Sequence, residues 1–89
     1  MEGYTLGQNN PNPTSGIATI DFVIPIAQTV KMQFYSLDGR LVGNSEEYYP
    51  AGRNTITVDE KLLGQNTGSI IYKMITDEFV DTKNMIIVK

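Results

Sequence analysis

Residues 30–35 read Val-Lys-Met-Gln-Phe-Tyr, and residues 19–24 before them read Thr-Ile-Asp-Phe-Val-Ile. In both, large apolar side chains fall on every second position. Ile20, Phe22 and Ile24 lie on one face of the first run, and Val30, Met32 and Phe34 on one face of the second. A period of two is that of a half-buried β-strand, because successive side chains of an extended chain point to opposite sides. The same period returns at Ile56 and Val58, between Thr55, Thr57 and Asp59. Two further runs, Ser69 to Ile75 and Phe79 to Val88, are rich in β-branched residues. Helical periodicity is absent.

The punctuation fits this pattern. Asp38-Gly39 is a tight-turn pair, since glycine tolerates positive φ. Pro50-Ala51-Gly52 closes a third run, Gly64 to Gly68 separates Lys61-Leu62-Leu63 from the next strand, and Thr76-Asp77-Glu78 divides the last two. Strands at this spacing predict an all-β fold: a small, immunoglobulin-like antiparallel β-sandwich of about six or seven strands.

Composition narrows the chemistry. The 89 residues make one domain with a thin core, and they include no cysteine and no histidine. Disulfides, thiolate catalysis and histidine-ligated metals are thereby excluded, along with the commonest general base. A net charge of −3 and a pI near 4.7 argue against nucleic acid or an anionic membrane surface as partner. No apolar run is long enough to insert in a membrane, and no basic-then-apolar leader precedes the domain. An export signal, if the protein has one, is expected upstream of Met1.

Acidic side chains are scattered from Asp21 to Asp81 without the D-x-D-x-D-G run of a calcium loop, so no metal or other cofactor is expected. Glu46 or Glu47 with Asp59 would offer the paired carboxylates of a glycosidase. Adjacent Glu46 and Glu47, however, point to opposite faces of a strand, which makes them solvated charges. Ser15, Ser36, Ser45 and Ser69 lack a histidine to activate them. The chain is therefore not expected to be an enzyme. Tyr35, Tyr48, Tyr49 and Tyr72 would suit a binding platform for sugars or peptides, but cross-strand packing is the favoured account. Asn12-Pro13-Thr14 is no glycosylation site, because proline holds the excluded position.

One stretch stays outside the strand pattern: Gln8-Asn9-Asn10-Pro11-Asn12-Pro13. Each proline disfavours helix before it and lacks the N–H a central strand needs. Met1 to Ser15 thus reads as an appended segment, with the prolines holding it off the sheet edge.

Taken in order, several motifs resemble those of one family. Leu6-Gly7-Gln8-Asn9-Asn10-Pro11-Asn12-Pro13 is followed by Ile20-Asp21-Phe22-Val23-Ile24-Pro25 and then by Val30 to Arg40. Pro50-Ala51-Gly52-Arg53, Thr67-Gly68-Ser69-Ile70-Ile71-Tyr72-Lys73 and Lys83-Asn84-Met85-Ile86-Ile87-Val88-Lys89 complete the series. The chain resembles the type A C-terminal sorting domains of proteins exported by the type IX secretion system of Bacteroidetes, over residues 4–89. Residues 1–3 read as an added start or the remnant of an upstream linker. Ser36 stands where the family often has Asp, and Ser69 and Ile70 replace its β-branched-then-Tyr pair. Like the family's chains, this one stops at a lysine.

The resemblance implies an address attached behind an upstream cargo domain. The cargo would cross the periplasm, pass the type IX outer-membrane translocon, and lose the domain to a surface sortase-type cysteine peptidase cutting near or before Glu2-Gly3-Tyr4. It would end at the outer-membrane surface or outside the cell, released or attached to lipopolysaccharide. Recognition would carry over to Pro11 and Pro13 of the opening motif, Gly39 and Arg40 of the hairpin, and Lys83, Met85, Ile86, Val88 and Lys89 of the terminal strand. A last strand lying at an edge would add to a partner's sheet through main-chain hydrogen bonds. Alternatively, Met85, Ile86 and Val88 simply complete the core. The competing function is a carbohydrate- or protein-binding sandwich retained on a secreted protein.

Overall fold

The computed structural model describes residues 3–88, which fold as seven strands in two antiparallel sheets. The strands are β1 (Thr5–Leu6), β2 (Ala18–Ile24), β3 (Gln28–Ser36), β4 (Leu41–Tyr49), β5 (Gly52–Val58), β6 (Gly68–Ile75) and β7 (Val80–Ile87), with one short helix, α1 (Glu60–Leu63). One sheet has the order β1-β2-β5 and the other β4-β3-β6-β7. The expected small β-sandwich is therefore the observed fold. In the constant-type immunoglobulin arrangement the fourth strand joins the sheet of the first two; here β4 pairs with β3.

The period-two runs face one another across the interface. Ile20, Phe22 and Ile24 of β2, with Ile56 and Val58 of β5, pack against Val30, Met32 and Phe34 of β3. Ile70, Tyr72 and Met74 of β6 and Met85 and Ile87 of β7 continue that wall. Each such side chain withdrawn from water contributes on the order of 1.5–3 kcal/mol before chain entropy is subtracted. Outward positions include many polar residues. Asp21 accepts from Arg53 at 2.6 Å and from Thr55 at 2.7 Å across the β2–β5 ladder, which holds its carboxyl below the usual range.

Lys61-Leu62-Leu63 is helical, contrary to the expectation of no helix. Four residues make little more than one turn, too few for a period to show. Asp59 caps the turn by accepting from the amides of Lys61 and Leu62, and Leu63 is thereby delivered to the core. The turn sits so close to β4 that a Cβ on Gly43 would lie 2.8 Å from the Leu62 carbonyl oxygen and 3.0 Å from a Leu63 methyl. Gly43→Ala is expected to cost about 1–3 kcal/mol in denaturant unfolding, the range for forcing an extra methyl into a packed contact. An unchanged midpoint would mean that the helical turn can retreat without loss.

The segment Met1 to Ser15 is not appended. Within its described part, Tyr4 and Leu6 are core residues, and Asn9 and Thr14 are buried as well. Leu6 pairs with Phe22 in register, while the Tyr4 ring stacks on Phe79 at 5.1 Å. Two residues of strand are too few to show an alternation, which is why β1 was not visible among the runs.

Candidate recognition site at one end of the sandwich

The nine residues assigned to recognition by resemblance are far apart in sequence. Sheet topology brings six of them to one end of the molecule. Ser36, the last residue of β3, is opposite Ile70 of β6, and Ile70 is opposite Met85 of β7. Beyond Ser36 the β3–β4 hairpin carries Gly39 and Arg40; beyond Met85 come Ile86 and Val88. Strands in a sheet are about 4.8 Å apart, so the hairpin and the end of β7 are two strand spacings from each other. Thr14 forms a parallel bridge to Ile87, which brings Pro11 and Pro13 to the same end.

The hairpin is built by short-range polar contacts. Gly39 has φ +87°, open space where a Cβ would stand, and an amide donating to the Ser36 carbonyl at 2.9 Å. The Ser36 hydroxyl donates to the Asp38 carboxylate and holds it below the usual carboxylate range. Ser36, although it replaces the family's aspartate, thus still organises the turn. Arg40 is exposed, and its carbonyl accepts from the Ser36 amide.

The terminal strand divides its residues by alternation. Met85 and Ile87 are buried, whereas Ile86 is 38% and Val88 53% exposed. The core account therefore holds for Met85 and fails for Ile86 and Val88. Lys83 shares the inward face of Met85, opposite Tyr72, and is partly buried. It lies further along β7, away from the end where the other residues gather. Lys89 lies outside the described residues, as do Met1 and Glu2, on which part of the expected cleavage region falls.

The Gln-Asn-Asn-Pro-Asn-Pro stretch does the opposite of holding the chain off the sheet edge. It crosses from one sheet to the other and lies along the outer side of β7. Asn10 exchanges backbone hydrogen bonds with Thr19, at 2.8 and 2.9 Å, at the margin of β2. Four residues later, the Thr14 amide donates to the Ile86 carbonyl at 2.9 Å and its carbonyl accepts from the Val88 amide at 2.8 Å. Between these points the prolines can donate nothing, and side-chain amides take over. The Ile86 amide donates to Asn12 Oδ1 at 3.0 Å, and Gln8 Nε2 donates to the Asn84 carbonyl at 2.7 Å. Buried Asn9 stiffens the crossing, accepting from Gln8 and donating to the Pro11 carbonyl at 2.8 Å. The peptide bonds before Pro11 and Pro13 are both cis.

Sequence reasoning weighed Tyr72 as a platform or packing residue and did not assign it a part in this assembly. Tyr72, on β6, is fully buried and donates its hydroxyl to the Gly7 carbonyl at 2.8 Å, pinning the start of the strap. Its position in an inward-facing register was the available signal. The four candidate platform tyrosines do not share a surface. Tyr72 and Tyr49 turn inward, the latter edge-on to Phe22 at 4.9 Å. Tyr35 and Tyr48 turn outward near opposite ends of β3, beside Leu41 and Thr29. Glu46 and Glu47 lie on opposite faces, opposite Lys31 and Val30. Among the described residues, no cluster of acidic side chains is placed to hold a metal.

Comparison with known proteins agrees with this arrangement of motifs. The family model for the secretion system C-terminal sorting domain matches residues 10–89. The search of curated proteins gives no match. Among solved structures the chain is similar to the GH3 beta-glucosidase of Bifidobacterium adolescentis, with 16% identity and a TM-score of 0.38. That alignment covers 92% of this chain and 17% of the other, so this chain spans about a sixth of that protein's length. With all but its first nine residues matched, the chain belongs to the secretion system C-terminal sorting domain family, a family of sorting signals for type IX secretion rather than of enzymes.

Proposed function

We propose that the folded domain is read as an address by the type IX outer-membrane translocon, at the end of the sandwich where strap, hairpin and terminal strand meet. The observation that carries this reading is the convergence there of Pro11, Pro13, Gly39, Arg40, Ile86 and Val88, all on the solvent side of a rigid core. Met85 contributes by anchoring the strand that presents its neighbours. Lys83 adds positive charge on the strand, and Lys89 adds a further positive charge in the sequence that follows it. The parent protein is a type A substrate of a Bacteroidetes bacterium, with its cargo upstream, periplasmic in transit and finally outside the cell.

Removal of the domain by a surface peptidase fits the same geometry. Tyr4 and Leu6 are core residues, so a cut that leaves the sandwich intact falls on the N-terminal side of Tyr4. Residues 3–89, fused behind a reporter carrying a periplasmic signal peptide, are expected to bring that reporter to the surface of a type IX-competent bacterium. Reporter held in the periplasm, with the domain folded, would overturn the reading.

A further inference from the structure

Asp38-Gly39, at the tip of the β3–β4 hairpin, is the pair in this chain most open to a rearrangement of its own main chain. It is the one Asp-Gly pair in the sequence, and no Asn-Gly pair occurs; Asp21, Asp59, Asp77 and Asp81 precede Phe22, Glu60, Glu78 and Thr82. In an Asp-Gly pair the amide nitrogen of the second residue can reach the side-chain carboxyl of the first, and glycine puts no side chain in the way. Asp38 and Gly39 are both exposed, and no atom lies within 4 Å of where a Gly39 Cβ would stand. Sterics leave the reaction open.

The reaction needs only water. The Gly39 nitrogen bonds to Asp38 Cγ, its proton and the carboxyl hydroxyl leave as water, and a five-membered succinimide closes. Hydrolysis returns that water. Addition at Cγ, breaking the Cγ–N bond, restores aspartate. Addition at the Asp38 main-chain carbonyl carbon, breaking its bond to nitrogen, leaves the chain joined through Cγ as isoaspartate. No atom is gained or lost, but the main chain becomes one methylene longer.

The folded hairpin opposes each part of this step. The Gly39 amide donates to the Ser36 carbonyl at 2.9 Å, so the attacking nitrogen is held in the turn with its proton engaged. The Ser36 hydroxyl donates to the Asp38 carboxylate and fixes its rotation. That bond, with the Arg40 amide and charge adding to it, also holds the carboxyl below its usual range, whereas the neutral acid is the form from which water leaves. We propose that Asp38-Gly39 is a site of spontaneous main-chain isomerisation whose rate the folded hairpin restrains, with Ser36 as the positioning residue. Isoaspartate at 38 would lengthen the ring closed by the Gly39–Ser36 hydrogen bond and displace Arg40. The inference goes beyond the sorting reading and holds whatever reads the address.

The test follows isoaspartate in the purified 89-residue chain held at neutral pH, and involves no export. Isoaspartate is counted by enzymatic methyl transfer and located by peptide mapping, on variants whose circular dichroism matches wild type. The folded domain is expected to accumulate it about tenfold more slowly than a synthetic peptide of residues 34–42. Ser36→Ala is expected to speed accumulation by about threefold or more, while Ser36→Thr, which keeps the hydroxyl, stays at the wild-type rate. Asp38→Glu is expected to remove the signal, because its ring would need a sixth member. Tyr72→Phe, which weakens the fold outside the hairpin, is expected to keep the wild-type rate. A domain that isomerises as fast as the peptide would overturn the proposal, as would a signal that persists in Asp38→Glu. So would equal rates in wild type and Ser36→Ala, or a rise in Tyr72→Phe as large as in Ser36→Ala, since the restraint would then lie in global folding.

Discussion

Replacing Ile86 and Val88 together with aspartate is expected to reduce surface display of a fused reporter by more than about tenfold while the domain stays folded. Two charges set into an apolar contact each cost on the order of 1–3 kcal/mol, and every 1.4 kcal/mol is a factor of ten in binding. The fold tolerates the change because both side chains project away from the core, whereas Met85 and Ile87 between them are buried. Truncating the terminal strand would not give the same information. It would remove two core residues and the whole β6–β7 ladder, so lost export would report unfolding. Reporter display is measured by protease accessibility on whole cells, and folding by circular dichroism of the isolated variant. Since aspartate also disfavours strand, Ile86→Thr/Val88→Thr serves as companion: it keeps β-branching and removes apolar surface. Wild-type display by both variants would show that these side chains are not read.

Much of the fold was legible because alternation and burial express the same fact. Every apolar residue placed on the inner face of the runs from Ile20 to Ile24 and Val30 to Phe34 is buried. What alternation does not encode is sheet order. Nothing in the period of β3, β6 or β7 states that they are neighbours, and only that adjacency puts Arg40 and Val88 at one end. The strap was misread for a different reason. A stretch with two prolines cannot pair through its backbone like a strand, and that is a fair argument for linker. Here Gln8 and Asn12 restore the missing donor and acceptor from their side chains. The amide residues were the informative part of the motif, and the prolines drew attention from them. Helix α1 was hidden by its brevity, although Asp59 stood at its N-terminus as a capping signal.

Tyr72→Phe is expected to lower stability by about 1–3 kcal/mol at neutral pH, the cost of leaving a buried carbonyl without its donor. The carbonyl is that of Gly7, so the loss falls on the junction between β1 and the strap rather than on the packing of the ring, which phenylalanine reproduces. The pH dependence distinguishes this from a general packing defect. Burial pushes the Tyr72 phenol up to about 12, with the Asp81 carboxylate adding to the shift and the Asn9 backbone amide opposing it. An unfolded tyrosine ionises near 10. The fold therefore favours the neutral phenol, and this contribution is fully present below pH 10 and lost as pH rises from about 10 to about 12. Wild type should lose on the order of 2 kcal/mol through this residue over that window. Tyr49, also raised by burial, is present in both proteins and cancels in the comparison. Urea unfolding at pH 8 and pH 12 should find wild type and Tyr72→Phe well separated at the first and converging at the second. Curves that remain parallel would mean that the phenol reaches water in the native state, and that the Gly7 contact does not hold the strap.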